Sequence, residues 1–164
     1  MKLTVLGNYG PYPKAGGACS GFLLISQEAK VLIDCGSGVV GKLLQFIDIE
    51  ELDAVILSHL HSDHAGDMLT LGYGVDIKIK KQLMEGPLKV YLPGEPVEEF
   101  IRIGERPSFE PLEIKDHMSI QIKDISVSFC EMKHGYQNYA VCIQKGDRKF
   151  VYSGDTMPND ELVE

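Results

Sequence analysis

Long apolar segments are absent from this chain. Its 164 residues include no apolar run close to the roughly 18–20 residues that a membrane-spanning helix requires. The N-terminal stretch Met1–Gly7 reads as a β-strand, without a charged leader, a long apolar stretch or a cleavage site of small residues. We therefore expect one globular domain, residues 1–164, that works in the cytoplasm without contact with a membrane.

An excess of basic charge is also absent. The formal net charge is −8, whereas a protein that binds nucleic acid over a broad face is usually basic. A small anionic substrate remains compatible with this charge, because a bound metal ion supplies a local positive field. One basic cluster stands out and is interpreted as a solvated face; it comprises Lys78, Lys80, Lys81 and Lys89.

Cysteine pairs and a dinucleotide-binding fingerprint are missing as well. None of the four cysteines belongs to a C-x-x-C pair, so we expect reduced, buried thiols. The stretch Gly7–Gly10 does not match G-x-G-x-x-G, and the residues after it contain too much proline and glycine for a helix. This argues against a doubly wound dinucleotide-binding fold.

Apolar and β-branched residues alternate along much of the chain, which is typical of strands. The order of strands and helices predicts an α+β fold in which two β-sheets pack together with helices outside. Helices are predicted near residues 39–47, 63–71 and 96–103, with Gly72 and Gly74 as interruptions of the second. Strands are predicted at Leu3–Gly7, Gly21–Ser26, Lys30–Asp34, Ala54–Ser58, Lys89–Leu92, Ser119–Ile122, Ser126–Glu131, Tyr139–Gln144 and Lys149–Ser153.

Three of the five histidines lie within six residues, directly after the apolar strand Ala54–Ser58. Residues two apart in an extended chain point the same way, so His59 and His61 can face one ion while Leu60 returns to the core. The chain then bends, and Asp63 and His64 start a helix on the other side of the same pocket. Imidazole and carboxylate are ligands that a zinc-like ion takes.

The segment His59–His64 resembles the H-x-H-x-D-H signature of the metallo-β-lactamase superfamily. Three further stretches resemble later motifs of that family in the expected order: Asp34–Gly38 its Asp-x-Gly turn, Lys133–Gly135 its third-motif histidine, and Ser153–Thr156 its bridging-aspartate motif. The resemblance covers nearly the whole chain. It implies a four-layer αββα architecture, with two packed mixed sheets between outer helices.

The resemblance also implies a centre for two metal ions, Zn²⁺ in the first instance, with Mn²⁺ or Fe as alternatives. One ion would be bound by three histidines and the second by Asp63 and His64, with an aspartate bridging both. The implied ligands are His59, His61, Asp63, His64, His134 and Asp155. A hydroxide held between the ions would attack the substrate.

Other polar residues have implied or open roles. Asp63 would act as the catalytic residue by orienting or deprotonating the attacking water, and Asp34 would accept a ring N–H from a ligand histidine. We expect His117 to be a surface histidine in a turn. Asp67 is equally compatible with the helix surface and with a place near the centre.

Relatives usually continue well beyond the bridging aspartate and contribute a last metal histidine. This sequence has nine residues after Asp155 and no histidine after His134. The resemblance therefore predicts that the C-terminal portion of the fold is missing, and we favour a fragment over a short form completed by a partner. Some apolar side chains of the late strands should then lack cover; the candidates are Val141, Ile143, Phe150 and Val151.

The leading functional hypothesis is hydrolysis of a phosphodiester, on a nucleotide or on an RNA 3′-end-like substrate, close to the ribonuclease Z and phosphodiesterase branch of the family. No long basic insertion that could grip tRNA is present between Ala65 and Lys133. A thioesterase or lactonase on the same scaffold is the alternative. A non-catalytic, metal-binding or oligomer-forming chain is the third hypothesis, with a second copy as a candidate partner.

Overall fold

The computed structural model describes residues 1–158. Four α-helices are present in this range: α1 (Val39–Leu43), α2 (Ser62–Ala65), α3 (Met68–Lys80) and α4 (Val97–Gly104), with a 3₁₀ turn at Ile49–Glu51. The strands are β1 (Lys2–Gly7), β2 (Gly21–Ile25), β3 (Lys30–Ile33), β4 (Ala54–Ile56), β5 (Leu88–Pro93), β6 (Phe109–Ile114), β7 (Ser119–Ile122), β8 (Ile125–Met132), β9 (Asn138–Lys145) and β10 (Arg148–Tyr152).

The first sheet has six strands in the order β1-β2-β3-β4-β5-β6. β1, β2 and β3 are antiparallel neighbours, whereas β3 to β6 run parallel. Parallel neighbours need crossover connections, and here these carry the helices. The carboxyl ends of β3 and β4 consequently lie at one edge of the sheet, where Asp34 and His59 follow them.

The second sheet is antiparallel over the described residues, in the order β10-β9-β8-β7. Successive side chains along a strand point to opposite faces of the first sheet, and apolar residues on both faces form two apolar layers. Ile33 and Ile56 face the second sheet and pack in one layer with Phe129 and Val141. The opposite face packs against residues of all four helices. The structure thus confirms two packed sheets with outer helices, but only the first sheet is mixed over residues 1–158.

Three expectations about the elements were wrong. The strand β6 was missed because Pro111 weakens its signal; proline is tolerated there because β6 is the edge of the sheet. Gly72 and Gly74 do not interrupt a helix, since both lie inside α3. A Cβ on Gly74 would come within 2.3 Å of Ile49 Cδ1, so this glycine permits close packing. The helix expected to begin at Asp63 is instead divided into α2 and α3.

The apolar side chains of the late strands β9 and β10 differ in how deeply they are buried. Val141 and Ile143 are fully buried between the sheets, whereas Phe150 is half-buried and Val151 is 54% exposed on the other face. The prediction that some of these four side chains lack cover is therefore confirmed for Val151. Among residues 1–158, no helix is long and apolar enough to cross a membrane.

Candidate metal centre

Strand β4 carries the chain to the centre. All three of its residues are buried, and His59, which follows three residues later, is 0% exposed. Leu60 turns back into the apolar layer beneath the helices, while His61 is half-buried. The alternation predicted for this segment is therefore confirmed, because the flanking histidines face the centre and the intervening leucine faces the core.

Two groups of potential metal ligands meet here and share His59. In the first group, ligand atoms of His59, His61 and His134 lie within 4.8 Å of one another. In the second group, ligand atoms of His59, His64 and Asp155 also lie within 4.8 Å of one another. His134 reaches the centre from the loop after β8, and Asp155 from the loop after β10. Five of the six ligands implied by the sequence are thus brought together in these two groups.

One ring nitrogen of His59, Nε2, is buried without a hydrogen-bond partner among the described residues. Burial, followed by the nearby His64, His61 and His134, lowers the pKa of His59 to about 2. The ring is therefore neutral and its lone pair is available. A buried nitrogen without a partner is costly, so the donor set fits a divalent, zinc-like cation.

The positions of His61 and His134 also fit a bound cation. His134 Nε2 lies 3.2 Å from His61 Nδ1. Burial lowers the pKa of His61, and the neighbouring His134 lowers it further. The lowered pKa favours the neutral form of His61, which can bind a cation.

Asp34 orients His64 from the end of β3. His64 Nδ1 lies 2.7 Å from Asp34 Oδ2, and both residues are buried. Burial by itself lowers the pKa of His64, but the hydrogen bond and charge of Asp34, with the charges of Asp155 and Asp63, outweigh it and raise the pKa. The expected contact between Asp34 and a histidine of the motif is confirmed. It turns His64 Nε2 toward Asp155, whose Oδ1 is 3.4 Å away.

Asp63 lies beside the two groups rather than within them. Its Oδ2 is 3.8 Å from His64 Nε2, and 14% of its side chain is exposed. The loop after β1 passes directly over it, because a Cβ added at Gly10 would stand 2.8 Å from Asp63 Oδ2. The carboxylate therefore lies between His64 and the loop after β1.

Asp155 is positioned by a tight turn after β10. Asn138 Nδ2 donates to the backbone oxygens of Ser153 and Asp155 over 3.0 and 2.8 Å. Gly154 has φ of 60° and its Cα faces Asn138, so that a Cβ would lie 2.2 Å from Asn138 Oδ1. The glycine of this motif is needed both for its left-handed backbone and for the absence of a side chain.

Three residues of the centre were not found from the sequence. Tyr152 donates to Asp34 Oδ2 over 2.7 Å, and burial, then Asp34, raises its pKa strongly. Ser58 holds the same carboxylate through its backbone N–H and its hydroxyl. Tyr136 packs on His61, with ring centroids 3.9 Å apart. The only sequence signal is adjacency, since Ser58 and Tyr152 come directly before motif residues.

The remaining polar candidates lie outside the two ligand groups of the centre. Asp67 Oδ2 accepts from Val40 N over 3.0 Å at the start of α1, so its carboxylate braces that helix. Cys35 is fully buried, and its backbone pairs with His64 O and Asp67 N. Cys19 is also buried, while Cys130 and Cys142 are only partly so, and no disulfide links them. The side chain of His117 is 83% exposed, as expected.

Comparison with known proteins agrees with this geometry. Residues 29–164 match the family model described as "Beta-lactamase superfamily domain". That range includes all six implied ligands and Asp34. The crystal structure of the metallo-β-lactamase fold protein YhfI from Bacillus subtilis aligns with a TM-score of 0.93 at 30% identity, covering 98% of this chain and 65% of that one.

Two curated relatives extend the comparison. The chain is 31% identical over 163 residues to "Probable metallo-hydrolase YhfI" of Bacillus subtilis, which covers 99% of this chain and 67% of the relative. It is 32% identical over 136 residues to a ribonuclease Z of Methanopyrus kandleri, covering 82% of this chain and 47% of that protein. The chain thus spans about half to two thirds of the length of these relatives. With its motifs in order and its histidines converging at one sheet edge, the chain belongs to the β-lactamase superfamily and has the metallo-β-lactamase fold.

Proposed function

We propose that this chain carries the dinuclear metal centre of a hydrolase that cleaves a phosphodiester. The observation that carries the proposal is the sharing of buried His59 by two groups of ligand atoms. One group offers three imidazoles and the other adds a carboxylate, so the chain offers two adjacent sites. His59, His61 and His134 would hold one ion. His64, Asp63 and Asp155 would hold the other.

A pair of divalent ions in such a centre supplies Lewis acidity, which makes water more acidic and withdraws charge from an ester. The protein's own contribution is orientation and proton handling. Asp34 holds the Nδ1 side of His64, so that Nε2 stays directed at the centre. Asp63, whose side chain is partly exposed beside His64, would accept a proton from the attacking water.

The space beside the centre supports this substrate class. A cleft of about 490 Å³ adjoins His134 and is bordered by Tyr136, Lys133 and Glu131. Its volume is within the range of small-molecule sites, roughly 300–1,000 Å³. Tyr136 offers a partly exposed aromatic ring beside His61, on which a nucleobase can stack. A nucleotide ester or the 3′ end of an RNA fits these features, and one relative is named a ribonuclease Z.

The proposal is tested with this chain after removal of metal and reloading with Zn²⁺, Mn²⁺ or Fe²⁺. The substrates are bis-p-nitrophenyl phosphate, a thioester and a lactone, each assayed with the parent, Asp63→Asn and the control Asp147→Asn. Asp147 is an exposed residue of the β9–β10 turn. We expect metal-dependent cleavage of the phosphodiester that falls by several orders of magnitude in Asp63→Asn, because ligand and proton acceptor are lost together.

Other outcomes contradict the proposal in distinct ways. Preference for the thioester or lactone would assign the second candidate reaction to the same centre. Metal binding without hydrolysis of any substrate would indicate a non-catalytic chain. Full activity of Asp63→Asn would show that the reacting site lies elsewhere.

A further inference from the structure

A second cluster of metal-binding side chains lies at the edge of the second sheet, outside the centre described above. It consists of Asp116 and His117, in the turn before β7, and Cys130 on β8. One ligand atom from each residue lies within 4.8 Å of those of the other two. We propose that Asp116, His117 and Cys130 form an additional binding site for a zinc-like divalent cation.

The strand register accounts for the meeting of these residues. Ser119 pairs with Ser128 in the β7–β8 ladder, and Phe129 N donates to Met118 O over 3.0 Å just before it. Next to this end of the ladder the chain turns at His117, which has left-handed backbone, and the turn brings its ring within reach of Cys130.

Two backbone hydrogen bonds hold the carboxylate of Asp116 in position. Its Oδ1 accepts from the backbone N–H of Glu131 over 2.9 Å and from that of His117 over 3.0 Å. Its Oδ2 lies 3.3 Å from His117 Nε2. The carboxylate therefore closes the end of the ladder with one oxygen and presents the other to the imidazole. His117 has φ of 56°, a left-handed conformation that the turn maintains.

The donor types select the cation. A thiol, an imidazole and a carboxylate match Zn²⁺ and similar ions, whereas Mg²⁺ and Ca²⁺ prefer oxygen ligands throughout. Asp116 and His117 are exposed and Cys130 is half-exposed, so water can complete the coordination. The two groups of the main centre contain no cysteine, which gives the proposed site a spectroscopic signature of its own.

Titration of the metal-free chain with Co²⁺ tests the proposal. Binding at this site should produce the near-ultraviolet charge-transfer absorption of a cobalt–thiolate bond, with the intensity of one thiolate ligand per chain once the two groups of the main centre are also filled. Cys130→Ser should abolish it. His117→Asn should weaken binding by at least about tenfold and keeps the turn, because asparagine tolerates left-handed backbone. Cys142→Ser is the matched control, a half-exposed cysteine on the adjacent strand β9, and should leave the absorption unchanged.

A second readout is independent of colour. Zn²⁺ should protect Cys130 from iodoacetamide, measured by peptide mass spectrometry, and Cys142 should be alkylated at the same rate with and without the ion. The proposal is overturned if the parent chain shows no thiolate absorption, if the absorption survives in Cys130→Ser, or if Zn²⁺ fails to protect Cys130.

Discussion

The hydroxyl of Tyr152 donates a hydrogen bond of 2.7 Å to Asp34 Oδ2. This contact joins the last described strand of the second sheet to the end of β3 in the first. The same carboxylate oxygen contacts His64 Nδ1 and accepts a hydrogen bond from the Ser58 hydroxyl. The position of a histidine in the centre therefore depends on how the two sheets pack, and not only on the loop that carries it.

Tyr152→Phe should destabilise the chain by about 1 kcal/mol, because one hydrogen bond to a buried carboxylate is lost while the ring keeps its place. For a domain of this size that corresponds to a fall in Tm of about 2–4 °C. Metal affinity should fall by about tenfold as well, since Asp34 holds His64 less firmly. Tyr73→Phe, on the exposed surface of α3, is the control. Unchanged Tm and affinity would show that the hydroxyl does not brace Asp34.

His134→Ala should weaken binding of one ion by more than about 100-fold, because loss of a direct ligand exceeds the effect of losing a supporting contact. Isothermal titration of the metal-free chain with Zn²⁺ measures this change. Lys133→Ala, at the exposed neighbouring position, separates loss of the imidazole from disturbance of the loop. Binding in His134→Ala as tight as in the parent would remove His134 from the ligand set.

Gly10→Ala should reduce turnover by about 100-fold with little effect on folding, because a Cβ standing 2.8 Å from Asp63 Oδ2 displaces that carboxylate. Steady-state kinetics and thermal melting, run together, separate the two effects. Gly86→Ala is the control, since a Cβ there meets nothing within 4 Å. Equal losses of activity in both variants would contradict a specific contact at Asp63.

Asp124→Asn should change the pH dependence of unfolding. Hydrogen bonds from Lys145 and Ser26 lower the pKa of Asp124 below its ordinary value of 3.8, so the folded state binds fewer protons in that range. The contribution of Asp124 to stability is therefore complete at neutral pH and is lost as pH falls below about 4. Urea unfolding at several pH values should show the parent and Asp124→Asn converging in acid. Asp147→Asn, which is exposed, should run parallel to the parent; a constant gap for Asp124→Asn would contradict the prediction.

Local pattern was sufficient for much of the fold and for naming the candidate ligands. The alternation that directs Leu60 to the core and its two flanking histidines to the centre is a property of neighbouring residues. The same is true of Gly154, whose left-handed backbone lets Asp155 follow β10 through a tight turn. Burial of one strand face and the geometry of a turn act within a few residues. For that reason nine of the ten described strands and the four motifs could be predicted from the order of residues.

Tertiary packing alone decided which distant groups touch. His134 and His61 are 73 residues apart, Tyr152 and Asp34 are 118 apart, and their pairing depends on the alignment of two sheets that share no ladder. The edge position of β6, which makes Pro111 tolerable, and the close approach of Ile49 to Gly74 have the same origin. Hydrophobic alternation states which face of a strand is buried, but it carries no information about the partner that covers it. The partner follows from strand order and sheet packing, which are set by the whole core at once.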